Sequence, residues 1–175
     1  HNYMDSIYQY HKMFVNDIKR RLFEENQLRI EKCLSLISEE QLWYKHNKHV
    51  NSIGNLILHL CGNVRQYICS GIFREKDLRT RDLEFSQSRT YTKDQLLNLL
   101  NETMSAIREK IDLTTPEMLL NEYSVQGFEE KGIAILIHIT EHFSYHVGQI
   151  TYLTKYLNNV DTGYYAGKDL NMKSS

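Results

Sequence analysis

Proline is almost absent from this chain: Pro116 is the only one in 175 residues, alongside eight glycines. An all-β fold of many tight turns, or a long flexible linker, draws on both residue types, so helix is favoured from the start. Cysteine is scarce as well. Cys33, Cys61 and Cys69 are odd in number and form no C-x-x-C or zinc-ribbon spacing, so they read as buried thiols in a reducing cytoplasm. No apolar run approaches the roughly 18 residues of a membrane span. Neither sign of charge prevails: 21 basic against 22 acidic side chains leave a formal net charge of −1. That balance argues against a nucleic-acid binder that works by neutralising phosphates. The cluster Lys19-Arg20-Arg21, followed by Glu24 and Glu25, reads as a solvated helix face. No signal peptide precedes the first amphipathic stretch. The expectation is a cytoplasmic protein without nucleic-acid or membrane partners.

What is present is an ordinary globular composition, 41% apolar and 25% charged, rich in Tyr (12) and His (8). At this length one domain is expected, over residues 1–160, with residues 161–175 as a loosely packed tail. Four segments carry helical periodicity. The first runs from about Asp5 to Ile37, with Ile7, Phe14, Ile18 and Leu22 on its apolar face. The second runs from Ser52, a good N-cap, to about Phe73, with Gly71 as a plausible stop. The third opens on the capping box Thr92-Lys93-Asp94-Gln95 and ends near Asp112. The fourth spans about Gly132 to Asn158. Thr115-Pro116 signals one further short turn. The spacing predicts an all-α four-helix bundle. The long connections, about Arg74–Tyr91 and Leu113–Lys131, read as extended loops, with Tyr123-Ser124-Val125 as a short extended piece. Trp43 with Tyr44 reads as a plug at the bundle end.

The fourth segment carries His138, His142 and His146. A spacing of four puts them on one helix face, where two imidazoles can converge on one cation. The second segment offers a single partner, His59, set among Leu56, Ile57, Leu58 and Leu60. Three neutral imidazoles leave coordination positions open, as catalytic metal sites do. A lone buried histidine is more often a hydrogen-bonded core residue, but the paired spacing with an isolated partner shifts the balance toward a metal. His59, Asn63 and Gln66 share their spacing with His142, His146 and Gln149. Two polar stripes on apolar helices need partners once buried. Gly62 and Gly148 lie beside the stripes, where a missing side chain permits close approach of a helix or ligand. His138 is a third rung or a supporting group. His11, His46 and His49 read as surface residues. The zincin pattern fails because Phe143, not Glu, follows His142. Di-iron bundles need Glu-x-x-His pairs, and none occurs. Cys61 lies two residues from His59 and should point away from it.

Four stretches resemble the DinB-like (YfiT-like) superfamily of four-helix-bundle metalloproteins, in a bacterial branch. They are Ser52-Ile53-Gly54-Asn55-Leu56 with His59-Leu60-Cys61-Gly62-Asn63; Arg81-Asp82-Leu83-Glu84-Phe85; Gln126-Gly127-Phe128-Glu129; and Glu141-His142-Phe143-Ser144-Tyr145-His146-Val147-Gly148-Gln149-Ile150. The resemblance implies a bundle whose two middle helices are joined by a long crossover. It implies a divalent zinc, nickel or manganese ion on His59, His142 and His146. It also implies a homodimer. Relatives include thiol-dependent S-transferases using bacillithiol or mycothiol, a thiol-dependent maleylpyruvate isomerase, and metal-dependent hydrolases.

Two classes of function follow. One is a metal-dependent enzyme of small molecules, with a low-molecular-weight thiol as co-substrate. Asn63, His138, Glu141, Tyr145 and Gln149 would orient ligands or substrate, and Tyr145 could donate a proton. A site with no carboxylate ligand keeps the full charge of the ion and favours an anionic thiolate, so thiol transfer is preferred over hydrolysis. The other is a non-catalytic helical module with a structural metal or a buried histidine network.

Overall fold

Ser52, Thr92 and Thr115 each accept a hydrogen bond from an otherwise free amide of the turn that follows, and a helix begins at each. A computed structural model of the chain describes residues 2–175. The first long helix runs as α1 (Tyr3–Lys19), a π-helical stretch (Arg20–Asn26) and α2 (Gln27–Leu36) without a break. A short α3 (Glu39–Leu42) leads to α4 (Ile53–Arg65), which continues as a second π-helical stretch (Gln66–Ile72). Then follow α5 (Arg81–Ser86), α6 (Lys93–Asp112), α7 (Pro116–Leu120), the strands β1 (Glu122–Val125) and β2 (Phe128–Lys131), and α8 (Gly132–Asn158).

The four long helices close into a square. Both α2 and α4 pack against α6 and α8. The stripe Ile135, Ile139, Phe143, Val147 and Ile150 turns the inner face of α8 into the core, every member nearly free of solvent. Nearly every residue of α4 is buried, so any polar side chain on it must find a partner inside the bundle. The crossover between the two middle helices is long, as the resemblance implies.

Both expected loops carry structure. The first contains α5, and the second contains α7 and a β-hairpin. Tyr123–Val125 is extended, within β1, and pairs antiparallel with β2 through Val125 opposite Phe128. The turn between them holds Gln126 at φ 51° and Gly127 at φ 78°. Positive φ at both central residues is the hairpin turn whose twist matches the strands. The strand β2 escapes sequence reading because Phe128-Glu129-Glu130-Lys131 is largely exposed and has no apolar alternation. The two π-helical stretches also differ from the regular helices expected; the second carries Gln66 and Tyr67 next to the polar side chains described below.

Trp43 does plug the bundle end. Its ring is buried against α4, and its indole N–H donates to the Tyr91 carbonyl at 3.0 Å. Tyr44 is exposed. His46 and His49 are exposed, but His11 is not a free surface residue. It is half-buried, with Nε2 2.9 Å from the Thr114 carbonyl and Nδ1 sequestered without a partner. After α8 the chain folds back. Thr162 is buried, and the Tyr164 hydroxyl lies 3.0 Å from Cys33 Sγ and 2.7 Å from Thr151 Oγ1. Residues 165–175 are exposed. No helix among the described residues is long and apolar enough to cross a membrane.

A Cβ added at Gly54 would lie 2.6 Å from the Trp43 ring. Overpacking of this kind costs about 1–3 kcal/mol, against about 1 kcal/mol gained from helix propensity. Gly54→Ala is therefore expected to lower stability by up to about 2 kcal/mol in urea unfolding; an unchanged midpoint would show that the ring moves freely.

Candidate metal centre

Three imidazoles meet between α4 and α8. His59 is 5% exposed, and His142 and His146 are half-buried. One ligand nitrogen from each lies within 4.8 Å of the other two. The nearest pair, His59 Nε2 and His142 Nε2, are 2.9 Å apart.

The proton on His59 is placed by its other neighbours. Nδ1 lies 3.0 Å from Glu84 Oε1 and 3.1 Å from Arg79 Nη2. The carboxylate can only accept, so Nδ1 carries the hydrogen and donates to Glu84, leaving Nε2 as a bare lone pair. Arg79 then spends itself on Glu84, with Nε to Oε2 and Nη2 to Oε1, both at 2.9 Å. Its Nη1 donates to Gln66 Oε1 at 2.8 Å. On α8, His146 Nδ1 donates to Gln149 Oε1 at 2.7 Å, which likewise turns Nε2 toward the centre. The contact between His59 and His142 is thus met either by a proton on His142 Nε2 or by a cation shared between the two nitrogens.

The donor set fits a divalent ion. Metal–imidazole bonds of about 2.0–2.1 Å separate ligand nitrogens by about 3–4 Å, the range that 2.9 and 4.8 Å bracket. A carboxylate on the far nitrogen of a ligating histidine is the usual way proteins fix its tautomer and orientation. The two imidazoles of α8 are held below their ordinary range, which favours their neutral form. Burial, reinforced by His146, His59 and His138, drives His142 down to about 3. Burial also lowers His146, against the opposing hydrogen bond to Gln149. For Glu84, burial pushes upward, but the bonds from His59 and Arg79 prevail and the carboxyl ends below its usual value.

The polar chain behind His59 requires Gly62. A Cβ there would come within 1.9 Å of Glu84 Oε2, so only glycine lets the carboxylate reach α4. The peptide of Glu84 is fixed as well, since Asn55 Nδ2 donates to the carbonyls of Glu84 at 2.9 Å and Gln87 at 2.8 Å. Glu84 and Arg79 were not singled out from the sequence. They come from the crossover, outside any periodic pattern. The signals available were Gly62 beside the stripe and the Arg81–Phe85 motif.

The supporting candidates divide. Gln149 touches His146, and the Tyr145 ring stands edge-on to it at 5.0 Å. His138 stacks between Tyr67, at 4.3 Å, and His142, at 5.6 Å, with its Nε2 buried and unpartnered. The Tyr67 hydroxyl donates to Gln126 Oε1 at 2.7 Å, and burial raises its pKa. Asn63 is buried, and its side chain makes no hydrogen bond among the described residues. Glu141 is exposed and lines a hollow facing the first helix, not the triad. Gln66 turns to Arg79 and Asp77 rather than to α8. Cys61 is buried, and burial carries its thiol up to about 11, which removes it as a nucleophile.

The model of the family described as "Protein of unknown function (DUF1572)" matches residues 9–164. The chain belongs to the DUF1572 family. The fold of this DUF1572 member is that of the DinB-like proteins. A DinB-like protein of Bacillus cereus is 16% identical, over 77% of this chain and 87% of its own, with a TM-score of 0.63. A DinB-like protein of Bacillus subtilis is 17% identical, over 85% of this chain and 94% of its own, with a TM-score of 0.64. No curated protein matches the sequence.

Two predictions follow from the centre. Glu84→Gln and Gly62→Ala should each weaken divalent-metal affinity about 10–100-fold, by releasing His59 Nδ1; competition with a chelating dye measures this, and affinity equal to the unsubstituted protein would refute the role of Glu84. The second concerns pH. Between about 6.5 and 3 the unfolded chain binds a proton at His142 that the folded, metal-free chain refuses. Stability is therefore lost as pH falls through that window. The melting temperature of metal-free protein should drop between pH 7 and 5, and the drop should be smaller in His142→Ala.

Proposed function

We propose that this protein is a divalent-metal-dependent enzyme of small molecules, of the thiol S-transferase type, with zinc, nickel or manganese on His59, His142 and His146. The observation that carries this reading is a centre of three imidazoles with no carboxylate among its donors. A divalent ion bound there supplies Lewis acidity, which lowers the pKa of a coordinated thiol or water toward neutrality.

The chain's own residues favour the thiol. Hydrolysis calls for a base to take a proton from water. The carboxylate in contact with the triad, Glu84, already accepts two bonds from Arg79 and one from His59. A thiol ionises more readily and needs no such base. In the transfer, the thiol proton passes to solvent and the sulfur bonds to an electrophilic carbon of the second substrate as the bond from that carbon to its leaving group breaks, the leaving group departing with the electron pair and then taking up a proton. Tyr145, exposed beside His146, is placed to donate a proton to the product. His138 presents a buried nitrogen without a partner one turn from His142, available to a polar atom of a bound ligand. We take the working unit to be a cytoplasmic homodimer.

Elemental mass spectrometry on protein purified without a metal-affinity column should find about one divalent ion per chain. His59→Ala and His142→Ala should lose both the ion and thiol-dependent turnover of electrophiles. Turnover surviving in His142→Ala would refute the proposal. A metal whose removal shifts the melting temperature but alters no reaction would make the chain a structural module.

A further inference from the structure

Two cavities flank α4, and they differ in kind. One, of about 420 Å³, lies behind Glu84 and Arg79 and is lined by Arg65, Glu75, Lys76 and Asp77. The Arg79–Glu84 pair stands between this charged cavity and His59. The other, of about 750 Å³, lies between α8 and the segment leading into α4. No Asp, Glu, Lys or Arg lines it. Its walls are Tyr145, Tyr152 and Tyr156, aliphatic side chains including Leu56 and Leu153, the imidazoles of His46 and His49, and the side-chain amides of Asn51 and Gln149.

This second cavity abuts the centre. Gln149 in its wall holds His146 Nδ1, and the Tyr145 ring meets the His146 ring. Gly148 forms part of its floor, and a Cβ built there meets nothing within 4 Å. The missing side chain is therefore space in the cavity and serves no packing. Tyr145, Tyr152 and Tyr156 leave 65%, 72% and 65% of their surface exposed, large aromatic faces even though Tyr145 meets the ring of His146 and Tyr156 that of His46. A volume of several hundred Å³ with apolar walls and a few fixed polar groups suits a small organic ligand. With no carboxylate, ammonium or guanidinium in the walls, a charged ligand would lose hydration with little compensation, whereas a flat ring gains stacking on tyrosine.

We propose that this cavity is the binding chamber for an uncharged, flat aromatic molecule, held on the tyrosines of α8 with one edge toward His146. The inference rests on the metal-centre reading for its reacting end, and it names the class of the second substrate. Binding itself does not need the metal, and the test exploits that.

The probe is 2-naphthol, uncharged at pH 7, titrated calorimetrically into the full-length chain. Saturable one-to-one binding is expected. Gly148→Leu should weaken it about tenfold or more by filling the floor, and Tyr152→Ala by about three- to tenfold. Leucine favours helix more than glycine does, so loss of fold does not confound the first variant. In His142→Ala the naphthol affinity should stay within about threefold of the unsubstituted chain, which separates this proposal from the metal reading. On that same variant, where no metal can capture a carboxylate, naphthalene-2-carboxylate and 2-naphthylmethylammonium should each bind about tenfold more weakly than 2-naphthol. Absence of saturable binding, equal affinity in Gly148→Leu, or equal affinity for either charged analogue would overturn the proposal. So would a fall in molecular mass on Tyr152→Ala without naphthol binding, which would assign the tyrosine face to a second copy of the chain.

Discussion

A buried carboxylate, that of Glu84, sets the terms for everything around the centre. Burying a charge costs several kcal/mol unless partners are in place, and here three hydrogen bonds meet it: two from Arg79 and one from His59. Gly62 admits the carboxylate to the surface of α4, and Asn55 ties down the carbonyls at the end of α5. The crossover is shaped by this need. Its short helix α5 delivers Glu84, and the irregular segment before it delivers Arg79. A group that only supports one histidine therefore accounts for the course of some twenty residues between Ile72 and Lys93.

Charge is distributed with similar economy across the site. The carboxylate is matched by the guanidinium behind it, so little net charge reaches the imidazoles. Burial and neighbouring rings hold His142 and His146 below their ordinary range. The consequence is a cluster of three imidazoles beside a cavity with no carboxylate, ammonium or guanidinium in its walls on one side, and an ion-lined cavity on the other. Such a division lets polarity do different work on the two faces of one helix.

Much of this is legible in the sequence, and the reasons for success and failure are physical. Helices α6 and α8 stand out because apolar side chains recur with the helical period and because Thr92 and Gln95 mark a start. The triad stands out because a spacing of four places His142 and His146 on one face, and because His59 is isolated in an apolar helix. Gly62 was read as permitting a close approach, and a carboxylate makes it; Gly148 received the same reading, yet it opens onto empty space. Glu84 stands in the Arg81–Phe85 motif, but its role and that of Arg79 are out of reach because a charged residue in an aperiodic segment looks like any solvated one until the crossover folds back. The β2 strand was hidden for a related reason, since its side chains face water and leave no alternation. His11 looked like a surface residue because its acceptor, the Thr114 carbonyl, lies 103 positions away.

The crossover has a consequence in time as well as space. The groups at the centre are far apart along the chain: Glu84 lies 25 positions from His59, and His142 lies 83. Contacts of such separation form late, because loop closure must be met before they contribute. During synthesis, a ribosome that has released α4 and α5 has produced a supported histidine but no site. Only once most of α8 has emerged do the imidazoles come together. Acquisition of an ion there would thus belong to the end of chain maturation, and a bound ion would report that α4 and α8 have found each other.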